Sequence, residues 1–423
     1  MAFKKIKQEN CDHMIRRKKT KLWSRSDFST MHPDLLDKIV NCLEDFKDKI
    51  VFKHTCSSWF SVAKSNIKCL LDENKQSSPM LFVSGSLEEE TNNDGFVFDL
   101  EEKLQKPLLH NFPLTSSCIG SSGGWLLFLE SFENLFIFHH ILGVKISLPP
   151  INSFPGVNAK KSISKHWINK FILWGDPILE KDYGVAVIYG SWHTKLAFFK
   201  HGDSKWANLG SDKNYSDIIC HDGFIYALTN SAYIEKYNIT GIPKKVMKIK
   251  PLSLNNITEF KQDDFRDLYF SQYYLVESKD SLLLVIRCIG KYVYIDGEVI
   301  SEGDLIDDPY NQFSCPYKTT NFYVYKLNME KTIWEELSSL DDQMLFIGGN
   351  HSFSLSAKNC VGCNENSIYF TDDNWEEITL AQEQDEDFGG HDIGVFNLKD
   401  KRFEDIYVSD TGIIDSSFWI LQH

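Results

Sequence analysis

Three stretches hold residues whose types and spacing suit chemistry. Gly120-Ser-Ser-Gly-Gly124 formally satisfies the G-x-S-x-G nucleophile pattern. That chemistry needs a strand, a sharp turn and then a helix, so that the serine hydroxyl stands exposed above a sheet. Here Trp125-Leu-Leu-Phe-Leu129 reads as a second strand, so the expectation is a hairpin turn without catalysis. Cys360-Val-Gly-Cys363 has the spacing of zinc ligands or of a redox pair. A structural zinc site takes four ligands, usually through a second such pair, and a thioredoxin-like motif needs a βαβ setting. Neither follows in the chain; His351 and His391 are the residues left to complete a site, and the expectation is two reduced thiols in a loop. The third stretch is acidic: Asp372, Asp373, Glu376, Glu377, Glu383, Asp385, Glu386, Asp387 and Asp392 occur with no Lys or Arg among them. Paired carboxylates do acid/base work only where their environments split their pKa values. A run this polar reads as a solvated loop between strands.

The elements that must position these residues are of two kinds. Leu35, Leu36, Ile39, Val40 and Leu43 fall at i, i+1, i+4, i+5 and i+8, one apolar stripe on a helix of about three turns. Pro33 suits its first turn, where the missing N–H has no intrahelical partner anyway. Ile50, Val51, Phe52, Cys56, Trp59, Phe60 and Ala63 form a second group at helical spacing, so the two predict a helical hairpin. A unit of about forty residues encloses little core and leans on a partner or on the next domain.

After a polar connection the period changes. Short apolar runs such as Met80-Leu-Phe-Val83, Leu135-Phe-Ile-Phe138, Gly184-Val-Ala-Val-Ile-Tyr189, Leu282-Leu-Leu-Val-Ile286 and Ser367-Ile-Tyr-Phe370 are separated by Gly, Asn, Asp and Pro. They predict many short antiparallel strands joined by tight turns. A loose unit of apolar strand, charged turn and tryptophan recurs at Leu196 to Trp206 and at Phe322 to Trp334. Such repetition suits a β-propeller of seven or eight blades, at about 40 to 50 residues per blade.

Charge narrows the function. The first 21 residues carry eight Lys and Arg against Glu9 and Asp12, so a formal net charge of -14 leaves about -20 for the rest. An acidic body argues against nucleic-acid binding, because phosphate contacts need basic surface. The run Arg16 to Lys21 reads as either a nuclear import signal or a solvated leader. The richest apolar run, Trp125 to Leu148, is broken by Glu130, Glu133 and Lys145, so no membrane span is expected. Ten cysteines without a secretory leader suggest reduced thiols in cytoplasm or nucleus.

Two resemblances follow. Trp23-Ser-Arg-Ser-Asp-Phe28, His32-Pro-Asp-Leu-Leu36, Ile39, Val40, Leu43 and Ile50 to Trp59 resemble an F-box, with His32 and Thr55 where that family usually has leucine and valine. Gly120 to Trp125, Gly143 to Pro150, Gly202 to Trp206, Tyr274 to Ser278, Leu345 to Asn350 and Asn366 to Asp373, in this order, resemble the KIB-type β-propeller of plant F-box proteins. The resemblance implies a multidomain α plus all-β chain: a basic tail over 1–21, an F-box over 22–66, a linker over 67–78 and the propeller over 79–423. It implies a non-catalytic substrate-recognition subunit of an SCF-type E3 ubiquitin ligase in nucleus or cytoplasm, without a cofactor. The F-box would bind a SKP-type adaptor, and through it a cullin, by Pro33, Leu35, Leu36, Ile39, Cys56 and Trp59. Some of these must instead form the unit's own core. The propeller would hold the target. The competing expectation is a binding scaffold whose degenerate F-box engages no adaptor.

Overall fold

The computed structural model describes residues 30–43, 46–53, 55–73, 79–84, 96–108, 112–113, 116–131, 133–157, 167–191, 193–210, 214–239, 244–249, 268–294, 297–301, 315–360, 362–374, 391–406 and 416–421. The basic tail and Trp23 to Phe28 lie outside the described residues. Two compact units divide the chain, Met1–Cys69 and Leu70–His423.

The first unit contains α1 (Pro33–Asn41), α2 (Phe46–Lys53) and α3 (Ser57–Glu73), the last running across the division. Three helices therefore stand where the spacing predicted a two-helix hairpin, because Thr55 and Cys56 interrupt the second apolar group. His32 is extended and caps α1: its Nδ1 accepts the Asp34 N–H at 3.3 Å, with Pro33 following in the first turn. Leu36, Val40, Phe52 and Ala63 are buried, and the Phe52 and Trp59 rings sit 4.3 Å apart.

The second unit is a β-propeller of six blades. The first blade begins with β1 (Pro79–Val83), β2 (Phe96–Asp99) and β3 (Leu104–Pro107). The second is β4 (Ser117–Ser122), β5 (Trp125–Glu130), β6 (Asn134–His139) and β7 (Lys145–Ser147). The third is β8 (Ile168–Trp174), β9 (Gly184–Tyr189), β10 (Lys195–Lys200) and β11 (Ala207–Asn208). The fourth is β12 (Tyr215–His221), β13 (Phe224–Thr229), β14 (Ile234–Asn238) and β15 (Lys244–Ile249). The fifth uses β16 (Tyr269–Ser278) and β17 (Ser281–Gly290), carries a ribbon of β18 (Tyr292–Val293) and β19 (Val299–Ile300), and ends in β20 (Lys318–Asn328) and β21 (Ile333–Leu337). The sixth holds β22 (Gln343–Ile347), β23 (Phe353–Ser356), β24 (Ser367–Phe370), β25 (Gly394–Asn397) and β26 (Phe403–Asp405). β27 (Ser417–Leu421) returns to the first blade and pairs antiparallel with β1, Leu81 opposite Trp419.

Closure by strands from both ends of the second unit removes the exposed edge that an open ring would present. β27 lies against β4, β4 against β8, β8 against β12, β12 against β16, and β16 against β23, so these strands form the inner ring. Apolar clusters fill the spaces between neighbouring blades. One joins Ile219, Tyr226 and Ile234 of the fourth to Leu284, Ile286 and Leu327 of the fifth. Another joins Met344, Phe346 and Tyr369 of the sixth to Leu81, Phe98 and Trp419 of the first. Both faces of a blade are thus covered, and runs such as β1, β9 and β22 are buried at every residue instead of alternating.

The count of six corrects the seven or eight predicted. Chain is absorbed by β16, β17 and β20 at 10, 10 and 11 residues, by the ribbon, and by a fifth strand in the last blade. That strand also departs from the antiparallel expectation: β22 runs parallel to β24, with β23 on its other side. Turns behave as read from sequence, even without glycine. Lys279 and Asp280 between β16 and β17 both take positive φ, 47° and 57°, the twist a two-residue hairpin demands. The tryptophans of the recurring unit sit at the outer blade edges, Trp206 just before β11 and Trp334 within β21.

Candidate functional site

In the helical unit α1 separates the predicted partner-facing residues by face. Leu35 is 53% and Ile39 37% exposed, Pro33 is exposed, and Leu36 is fully buried. Leu36 is therefore committed to the unit's own packing, one residue and about 100° around the helix from Leu35. Cys56 and Trp59 are half-buried, Cys56 Sγ lying 3.7 Å from Ser58 Oγ. The two departures from the family pattern are both on the surface: His32 caps α1 and Thr55 is exposed between α2 and α3.

In the propeller the centre is filled by residues 348–352, which link β22 to β23. Gly348 makes the turn at φ 139°, a conformation L side chains rarely adopt, and a Cβ there would lie 2.0 Å from Thr371 Oγ1. From this turn contacts reach across the ring. Lys170 on β8 donates to the Gly348 carbonyl at 3.0 Å and to Ser352 Oγ at 3.3 Å. The same ammonium pairs with Asp217 on β12 at 3.1 Å, and Asp217 accepts the Leu275 N–H of β16 at 2.7 Å. Burial raises the Asp217 pKa, with Lys170 and the backbone donors opposing it.

Ser122 of the G-x-S-x-G match also belongs to this centre. Its Oγ accepts the Leu173 N–H at 3.1 Å and stands 3.0 Å from His351 Nδ1, while the His351 N–H donates to the Ser121 carbonyl at 2.8 Å. Strand β4, a turn at Gly123-Gly124 and strand β5 follow in order, so the match is a hairpin as expected. The hydroxyl is buried and pins three blades together. Burial, with the Lys170 charge nearby, pushes His351 down to about 3, so its ring is neutral.

The acidic stretch differs from its reading as a solvated loop where it is described. Asp372, Asp373 and Asp392 turn inward around Arg287, itself buried on β17. Arg287 donates through Nη2 to Asp392 Oδ2 at 2.8 Å, through Nη1 to Asp373 Oδ1 at 3.2 Å and to the Thr371 carbonyl at 2.8 Å, and through Nε to Thr319 Oγ1 at 2.7 Å. An interior guanidinium is tolerable only when its donors are met this fully. Burial pushes Asp373 up to about 6 against the pull of Arg287, Lys170 and the Tyr274 hydroxyl. Glu376 to Asp387 lie outside the described residues.

Cys360 and Cys363 are joined by a disulfide, which corrects the expectation of two free thiols. His351 and His391 do not converge on them: His351 faces Ser122 and His391 faces Cys315. Among the described residues no group of His, Cys, Asp and Glu is arranged to hold a metal ion. Beside the disulfide a shallow cavity of about 550 Å³ is lined by Lys358, Cys363, Asn364, Glu365, Asn397 and Glu404.

Sequence reasoning missed Lys170, Asp217, Arg287 and Cys315. The first three had a legible signal, a charge inside an otherwise apolar strand, as in Ile168-Asn-Lys-Phe-Ile-Leu-Trp174. Cys315 had none.

The architecture defines a six-bladed β-propeller behind a small helical unit. The KIB1-4 beta-propeller family model matches residues 97–397, and the chain belongs to that family. Three Arabidopsis thaliana relatives are similar over nearly their whole lengths. A putative F-box protein is 24% identical, covering 92% of this chain and 94% of its own. F-box only protein 7 is 24% identical over 82% and 85%, and F-box protein SKIP23 is 25% identical over 89% and 91%. Among solved structures, the WD40 domain of SCAP from fission yeast is 15% identical with a TM-score of 0.28, over 60% of this chain and 58% of that one.

Proposed function

We propose that this protein is the substrate-recognition subunit of an SCF-type E3 ubiquitin ligase. Its helical unit is an F-box that binds a SKP-type adaptor, and through it a cullin, while the propeller holds the target protein. The observation that carries the reading is the pair Leu35 and Ile39, apolar yet exposed on α1 beside Pro33, in a chain whose relatives are F-box proteins. Exposed leucine and isoleucine on one face of so small a unit are accounted for by a partner that covers them. Pro33, Leu35 and Ile39 provide the adaptor surface, Cys56 and Trp59 its half-buried margin, and Leu36 supports it from within.

The mechanism is tethering. Holding a target lysine near the charged ubiquitin carrier raises its effective concentration into about the millimolar range without a catalytic group on this chain. The interior supports a non-catalytic reading: Ser122 and the Arg287-bound carboxylates are consumed by contacts between blades.

A pull-down of the full chain with a recombinant SKP-type adaptor tests the proposal. Capture is expected, with loss in L35D/I39D and retention of the fold by circular dichroism. No capture by the full chain, nor by the segment 22–66, leaves the adaptor-independent scaffold, with His32 and Thr55 as the substitutions that disable the surface.

A further inference from the structure

One corner of the propeller holds a nucleophile, a base and a carboxylate in sequence. Cys315 Sγ lies 2.9 Å from His391 Nε2, and both atoms lie within 3.0 Å of the Tyr317 carbonyl oxygen, which accepts the thiol S–H while Nε2 is unprotonated and the Nε2 N–H once the ring has taken a proton. Beyond the ring, His391 Nδ1 stands 4.0 Å from Asp372 Oδ2. Asp372 is itself fixed by the Tyr317 hydroxyl at 2.7 Å and the Asp392 N–H at 3.4 Å. The backbone at Cys315 is held too, exchanging two hydrogen bonds with Val293 at 3.0 and 2.8 Å. Cys315 is half-buried, unlike Cys118 and Cys288, which are enclosed.

We infer that Cys315 is a reactive thiol, with His391 as its base and Asp372 as the charge that stabilises the imidazolium, and that its reaction partner is a small hydroperoxide. The arrangement is that of an activated nucleophile, in which a second group takes the proton and the charge of a third favours the protonated second. Nothing in the adaptor-binding proposal uses these residues.

In the step, the thiol proton passes to His391 Nε2 and the thiolate sulfur attacks one peroxide oxygen. The S–O bond forms as the O–O bond breaks, sulfur is oxidised by two electrons and the peroxide is reduced by two. The departing hydroxide, or alkoxide from an organic hydroperoxide, takes the imidazolium proton and leaves as water or alcohol, giving the sulfenic acid. The groups facing His391 favour its charged form: burial opposes it, but the bond to Cys315, the charges of Cys315 and Asp372, and the Tyr317 carbonyl push it up to about 9. Arg287 lies on the far side of this carboxylate cluster, paired with Asp392 and Asp373.

The test is pulsed alkylation of the reduced full-length protein with iodoacetamide, read by peptide mass spectrometry, with the exposed Cys42 as internal reference. Cys315 is expected to react faster than Cys42 at pH 6.5 and to change little up to pH 8, where an ordinary thiol gains about tenfold per pH unit. His391→Gln should slow Cys315 about tenfold at pH 6.5 and restore the ordinary pH dependence. Brief hydrogen peroxide followed by dimedone should label Cys315 ahead of Cys42. A Cys315 rate that tracks Cys42 across this range, or that His391→Gln leaves unchanged, overturns the inference. Should that variant fail to fold, the wild-type pH profile alone decides.

Discussion

Lys170 and Asp217 form an ion pair at 3.1 Å, with side chains only 4% and 0% exposed, that joins the third blade to the fourth beneath the turn at Gly348. The pair is where the ring's inner strands are stitched to the residues filling their centre. Its value lies in completeness, since Asp217 also takes N–H groups from Ile218 and Leu275 and Lys170 also meets Gly348 and Ser352.

Removing one partner should therefore be far worse than removing both. Lys170→Met strands a buried carboxylate and is expected to cost about 3–5 kcal/mol. Adding Asp217→Asn should recover a large share of it. Urea unfolding of the two variants measures the difference, and additive losses would contradict the pairing.

Two half-buried histidines tilt stability with pH in opposite directions. His351 is held at about 3, below its ordinary 6.5, so its contribution is present above pH 6.5 and is lost as pH falls toward 3. His391 is held at about 9, so its contribution is complete below pH 6.5 and is lost as pH rises through 9. Each ring should tilt the unfolding free energy by up to about 1.4 kcal/mol per pH unit on its own side of 6.5, and on the acid side Asp373, held at about 6, opposes His351. His351→Gln should flatten the acid limb alone and His391→Gln the alkaline limb alone, as read by denaturant midpoints from pH 4.5 to 9.

Gly348→Ala tests whether the central turn depends on its backbone. The residue has φ 139° and Thr371 Oγ1 stands where the methyl would go, so a loss of about 1–3 kcal/mol is expected. Gly123→Ala, with φ 60° and open space around it, should lose no more than about 1 kcal/mol. Equal thermal shifts for the two would mean that only φ matters and not the close approach.

The faces of α1 predict opposite phenotypes for adjacent leucines. Leu36→Ala empties a buried site and should destabilise the helical unit by about 2–5 kcal/mol. Leu35→Ala, at 53% exposure, should change stability by less than about 0.5 kcal/mol while weakening capture of the adaptor. Hydrogen exchange over residues 33–73, set beside the pull-down, separates the two effects.

Composition and local pattern were enough to determine the class of elements: helical spacing up to Ala63, then short apolar runs between turn residues that can only be strands of a repeating all-β body. These signals are local. Leucines three and four apart share a helix face whatever lies beyond, and Lys279-Asp280 turns its hairpin within four residues. The adaptor-facing residues were legible as a set but not by face, since the register of Leu35 against Leu36 depends on what α1 packs against. The tertiary structure alone decided the blade number, the parallel β22–β24 pairing and the joining of β27 to β1, because each depends on strands far apart in the chain. It also decided that Asp372, Asp373 and Asp392 turn inward to a buried arginine, and that Cys315 meets His391 across 76 residues. Charge in a sequence says what a residue wants; only the closed ring says which partner is within reach.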